Sequence, residues 1–248
     1  MKQPLAIDLF AGLGGWTEGL LAEGWRVVGI DIEEHVYGEH HYPAGLILQD
    51  VLTVSGYAFS EADLIVASPP CQEFSYMAMP WSKAKAKRAA ILADETGVAR
   101  AKLTELFDAC FRIQREACEA AGRHIPMVVE NVRGSQEWVG RARWSFGSFY
   151  LWGDVPALMP AAIKVASGIK APGMDWGDQT KRGQDCTLVA GKNAESGTKC
   201  GGDWFNASQP SLSRMTSSKS IARKQASAMI AKIPLPLSRY IARVYRGK

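Results

Sequence analysis

Apolar residues fall in short dense runs, and stretches of helical period lie between them. Leu5 to Phe10, Trp25 to Ile30, Leu46 to Leu48, Ala62 to Ala67, Ile125 to Val129 and Phe149 to Trp152 are such runs. Each is too short for a helix and too continuously apolar for a half-exposed strand, so each reads as a buried strand. Between them, Trp16 to Gly24 spaces Trp16, Leu20 and Leu21 at helical intervals. Val98 to Ala121 places Leu103, Leu106, Phe107, Cys110, Ile113, Ala117 and Cys118 on one helical face. Helix returns over 221–233, breaks at Pro234-Leu235-Pro236-Leu237, and resumes from Ser238 to Tyr245. Strand alternating with helix predicts an α/β fold, a mostly parallel sheet with helices on both faces.

From Val155 to Ser220 that texture fades. Glycine, serine, lysine and asparagine rise, and Trp176, Trp204 and Phe205 sit among scattered basic residues. This predicts two units: a core domain of 1–153 plus 221–248, and a small irregular subdomain over 154–220.

Two strand ends carry candidate chemistry. The first strand runs into Ala11-Gly12-Leu13-Gly14-Gly15, a strand, glycine turn and helix suited to a nucleotide. The dinucleotide fingerprint fails, because Thr17 stands where its third glycine would be. Asp31 ends the second strand and Asp50 follows the third. Either one accepts from a nucleoside or caps a turn. The fourth strand ends abruptly in Ser68-Pro69-Pro70-Cys71-Gln72, since proline lacks a backbone donor. Cys71 is then either a small buried hydrophobe or a nucleophile on a rigid turn. Glu130 follows the fifth run as a structural cap or a placed acid. Lys83, Lys85, Lys87 and Arg88 follow an aromatic stretch and suit either a loop touching phosphates or a solvated helix start.

Bulk properties narrow the classes. The 248 residues hold 29 Lys+Arg against 25 Asp+Glu, a net charge of +4, which is compatible with a nucleic-acid partner. Five cysteines without a CxxC pair predict a reduced cytoplasmic protein with no zinc site. His35, His40 and His41 fall in a polar connection and read as solvated. No apolar run is long enough to span a bilayer.

Taken together, Asp8-Leu9-Phe10-Ala11-Gly12-Leu13-Gly14-Gly15, Pro69-Pro70-Cys71-Gln72 and Glu130-Asn131-Val132 resemble, in that order, the DNA (cytosine-5)-methyltransferase family in its short phage-type form. The resemblance covers about 1–153 and a C-terminal piece. It implies the Rossmann-like methyltransferase fold that uses S-adenosylmethionine (AdoMet), no metal, and 154–220 as a target-recognition insert. It implies Cys71 as nucleophile, Glu130 as acid, and Arg141 or Arg143 holding the base or a phosphate. Asp8, Phe10, Gly12, Gly14, Gly15, Asp31, Ile32, Asp50 and Pro70 would line the donor site. Gln72, Ser75, Lys83, Lys85, Lys87 and Arg88 would meet nucleic acid. The implied partner is double-stranded DNA, bound by a monomer, with a cognate restriction endonuclease in the host. The alternatives are a transfer-RNA cytosine methyltransferase, a catalytically dead DNA-binding homologue, and a nicotinamide-dependent enzyme. Two departures stand out. Arg141-Ala142-Arg143 lacks the family's leading glutamine, and Lys232 occupies the place of a late asparagine.

Overall fold

The structure is a computed structural model and describes residues 3–74, 81–156 and 221–246. Most of the expected target-recognition insert, 157–220, therefore lies outside the described residues, as does Ser75. The elements are β1 (Leu5–Leu9), α1 (Gly15–Ala22), β2 (Arg26–Asp31), β3 (Gly45–Leu48), β4 (Leu64–Ala67), α2 (Trp81–Leu92), α3 (Val98–Ala121), β5 (Met127–Asn131), α4 (Gln136–Val139), β6 (Trp144–Phe146), β7 (Phe149–Gly153), α5 (Ile221–Ala231) and α6 (Leu235–Arg246).

The strands form one seven-stranded sheet in the order β3-β2-β1-β4-β5-β7-β6. β1 to β5 are mutually parallel, and β7 runs antiparallel between β5 and β6. This is the mostly parallel α/β sheet that the sequence predicts. The densest apolar runs take the centre: every residue of β4 and β5 is buried. The pleat divides their side chains between two cores. Ile7, Leu9, Ile65, Met127 and Val129 pack with Phe107, Cys110 and Ile113 of α3. Ala6, Val27, Leu64, Val66 and Val128 pack with Trp16 and Leu20 of α1 and Leu237 and Ile241 of α6. Burial pushes the Cys110 thiol well up, so it is a core residue and not a reactive one.

Several boundaries differ from the sequence reading. β5 extends through Glu130 and Asn131, because β7 pairs with it there, Glu130 opposite Leu151. Glu130 thus sits on a strand and not in the loop after it. The basic stretch is helical over 81–92, the second of its two readings. α6 starts at Leu235, three residues earlier than expected. Pro236 falls in its first turn, where a missing N–H breaks no helical bond, and Leu237 and Ser238 donate to the Pro234 carbonyl at 3.0 and 3.1 Å.

Candidate active site

The strand order reverses between β1 and β4, so the crossovers leave a crevice at their C-terminal ends. A cavity of about 520 Å³ opens there. Asp8, Phe10, Gly12, Gly15, Asp31, Ile32, Asp50, Pro70, Cys71, Gln72 and Glu130 all line it. Residues nominated from separate strand ends are therefore brought to one place.

The turn after β1 is tightly constrained. Phe10 has φ of 59°, the one positive value among the described non-glycine residues. Such backbone strain concentrates at binding sites. Gly14 has φ of 75° and caps α1. At Gly15 an added Cβ would lie 2.4 Å from the Ile233 backbone nitrogen. The helix start and the α5–α6 junction are pressed together, and only glycine fits between them. Ala231 and Ile233 thereby line the cleft from the far end of the chain. Lys232 does not line it. Its Nζ lies 2.5 Å from Glu18 Oε1 on α1, so it tethers the junction to that helix.

Asp31 accepts from the Gly12 backbone N–H at 2.8 Å and from Glu33 at 3.3 Å. Burial opposes its ionisation, but His35 and these two amides outweigh burial and hold the carboxyl below its usual range. The same pairing with Asp31 raises the His35 pKa, their nearest atoms being 3.7 Å apart. His35 and Tyr37 line the cleft and are not simply solvated. Their sequence segment is polar and gives no sign of this. Ile32 is 71% exposed beside them, an apolar side chain open for a flat ring to cover. Asp50 does cap a turn, Oδ1 accepting from Leu52 N at 2.9 Å, and also faces the cleft. Its two readings are compatible, because the cap uses one carboxylate oxygen.

Asp8 is 1% exposed and accepts from the Thr17 hydroxyl at 2.6 Å. Tyr42 OH lies 2.7 Å from the same hydroxyl. Thr17, in the place of the missing third glycine, closes a buried polar chain. Burial pushes the Asp8 carboxyl up to about 8, Thr17 opposes this and the charge of Asp31 adds to it. A raised acid keeps a proton that the unfolded chain releases. Stability from this group is complete below the unfolded value of 3.8 and is lost as pH rises to about 8. Asp8→Asn removes that dependence. Melting temperature against pH should fall less between pH 4 and 8 in the variant, and parallel curves would refute the assignment.

The Pro-Pro-Cys turn is anchored from three elements. Ser68 N donates to Leu9 O of β1 at 3.2 Å. Trp16 Nε1 of α1 donates to Ser68 Oγ at 3.0 Å. Asn131 Nδ2 of β5 donates to Pro69 O at 3.0 Å. Phe74 N then closes a turn onto Cys71 O at 3.1 Å, and the Phe74 ring is buried. Asn131 neighbours Glu130, so a single side chain ties the cysteine turn to the strand bearing the acid. Cys71 is partly exposed, and Glu130 is 3% exposed. A thiol and a buried carboxyl group facing one cleft suit covalent addition to a ring whose charge the acid offsets.

Other nominated residues lie elsewhere. Arg141 and Arg143 precede β6 and do not line the cleft. Arg143 lines a second pocket with Pro4, Asp63 and Pro126, which immediately precede β1, β4 and β5. It therefore sits at the opposite, N-terminal edge of the sheet, because β6 runs parallel to β5 and Arg143 stands at its start. Of the basic run, Lys85 is exposed, Lys87 pairs with Glu73, and Arg88 Nε lies 2.6 Å from Glu137 Oε1 on α4. The Lys83 side chain is outside the described residues. Among the described residues no cluster of three or more His, Cys, Asp or Glu is arranged to hold a metal. No helix among them is long and apolar enough to cross a membrane.

Residues 5–96, which span the glycine turn, the donor acids and Cys71, match the family of C-5 cytosine-specific DNA methylases. Over this segment the chain is similar to that family. A protein of Methanocaldococcus jannaschii named as a type II methyltransferase is 35% identical over 78 residues, 28% of this chain and 25% of its own length. The chain thus covers a quarter of that relative. Solved structures of similar shape include a DNA modification methyltransferase encoded within an Escherichia coli prophage, at 22% identity and TM-score 0.37 over 56% of this chain and 35% of that one. Dnmt2 methyltransferase of S. pombe aligns at 18% identity and TM-score 0.36, over 56% of this chain and 37% of its own.

The matched family implies AdoMet as cofactor, and the cleft fits it. The volume lies within the ~300–1,000 Å³ usual for ligand pockets. An ionised acid, an exposed apolar side chain and a glycine-rich backbone turn suit a ribose, a base and an amino-acid tail respectively.

Proposed function

We propose that this chain methylates carbon-5 of cytosine in DNA, working on a base turned out of the duplex. When bound, AdoMet supplies an electrophilic methyl group on a sulfonium. The protein's task is to make carbon-5 able to take it. Cys71 Sγ, as thiolate, adds to carbon-6 of the ring. Glu130 donates to ring nitrogen-3 and offsets the negative charge that this addition pushes toward it. The resulting enamine makes carbon-5 nucleophilic. After transfer, the carbon-5 proton leaves to a base, nitrogen-3 gives its proton back to Glu130, the Sγ–C6 bond breaks, and the ring regains its aromaticity. The sulfur leaves as it came, so atoms and charge balance. A stacked cytosine cannot reach Cys71 inside the cleft, so extrusion is required, at a cost of a few kcal/mol.

The observation that carries this reading is that Cys71 and Glu130 face the same cleft as the glycine turn and Asp31. Asp31 would take the ribose hydroxyls, Ile32 the face of adenine and Asp50 its amino group. The basic residues of α2 and the 157–220 segment are proposed to meet the duplex, and Arg141 to reach a phosphate. A cytoplasmic monomer acting with a cognate endonuclease is the setting we propose.

The test is incubation of the protein with methyl-tritiated AdoMet and either duplex DNA or transfer RNA. Label in DNA is expected, at positions that bisulfite sequencing then reads as 5-methylcytosine. Label in transfer RNA alone would replace the substrate. Label in neither, with AdoMet bound, would favour a dead catalytic core.

A further inference from the structure

The donor cleft has a wall whose shape is set from behind. Asp50 and Val51 line the cavity, yet the loop they begin has no strand partner and forms only two short 3₁₀ turns, Val51–Thr53 and Gly56–Phe59. Its carbonyls need donors, and a single side chain of α3 supplies donors to three of them. Arg112 Nη1 donates to Val54 O at 2.9 Å, and Nη2 to Leu52 O at 3.2 Å and Val51 O at 3.4 Å. Glu116, one helical turn on, holds the same guanidinium at 3.0 and 3.1 Å and accepts from Gly56 N at 2.6 Å. Gly56 sits so close to α3 that an added Cβ would lie 2.1 Å from Ile113 O. The loop is thus buckled to the helix along its length, while Arg112 itself stays out of the cleft.

We propose that Arg112, held by Glu116, is a positioning residue for adenine recognition: it fixes the Asp50–Val51 wall and so sets how strictly the donor site demands an adenine amino group. The proposal rests on the donor reading given above. A planar fork that meets three carbonyls and a carboxylate at once has no equivalent in lysine, whose ammonium is a point charge. Loss of the fork frees the loop without touching Cys71 or Glu130.

The full chain is titrated with S-adenosylhomocysteine and with its inosine analogue, which lacks the amino group that Asp50 would accept. The unaltered protein should prefer the adenosine form by at least roughly tenfold, the scale of one hydrogen bond to a charged group. In Arg112→Met the adenosine form should bind about tenfold more weakly and the preference should shrink toward unity, with kcat at saturating AdoMet within about twofold. A variant that binds less tightly but keeps the full preference would make Arg112 a merely structural residue and overturn the proposal. So would a variant with unchanged affinity. If Arg112→Met does not fold, Arg112→Lys decides by the same preference ratio, expected between the two. Failure of the unaltered chain to bind either compound would remove the donor reading itself, a different result from an unchanged ratio.

Discussion

Cys71→Ala should lower methyl transfer by at least about a thousandfold while leaving AdoMet affinity within about twofold of the unaltered protein. The split follows from where the residue sits. The bonds that hold its turn come from the Ser68 and Asn131 side chains and from backbone groups, so removing one sulfur leaves the turn standing. The donor acids and the glycine turn belong to other strands and keep their geometry. Rate is read by tritium transfer and affinity by titration with S-adenosylhomocysteine. Equal loss of both would mark the cysteine as structural. A duplex carrying 5-fluorocytosine gives the complementary result. Fluorine cannot leave as a cation, so the Sγ–C6 bond should persist, and peptide mapping should find the adduct on Cys71. An adduct on any other cysteine would end the assignment.

Glu130→Gln should slow transfer by about 10²–10⁴, the span of a positioned general acid. The amide matches the carboxyl group in volume, and the backbone stays fixed by the pairing of Glu130 with Leu151 across β5 and β7. The melting temperature should therefore move by only a few degrees. Adduct formation with the fluorinated duplex should slow in the same proportion, since the acid assists the addition step. A variant that traps the adduct at the normal rate, yet fails to turn over, would shift Glu130 to a later step.

What the sequence disclosed was local. The apolar runs before Asp8, Cys71 and Glu130 are strands because nothing else buries so many adjacent apolar residues, and parallel strands must deliver their ends to one edge. That puts the glycine turn, the cysteine and the acid together with no knowledge of any contact. What stayed hidden depends on pairing across long separations. His35 reaches the cleft only because the polar β2–β3 connection folds back onto Asp31. Nothing in the sequence marks Arg112, since its carbonyl partners lie 58 to 61 positions away. The family resemblance assigns Arg143 to the base or a phosphate. β6 is three residues long and gives no apolar run, so its direction, and the edge at which it starts, could not be read.

The contact between Gly15 and Ile233 has a consequence for synthesis. The two residues lie more than two hundred positions apart, so a ribosome releases the glycine turn long before the segment that completes the cleft. Until α6 emerges, Trp16, Leu20 and Trp25 lack the cover that Leu237 and Ile241 give them, and the Trp25 indole lacks its acceptor, Ala242 O at 3.1 Å. A nascent chain halted before the α5–α6 junction would carry every residue proposed for chemistry without the Ala231 and Ile233 wall of the cleft. The cleft is thereby left incomplete until that junction has emerged.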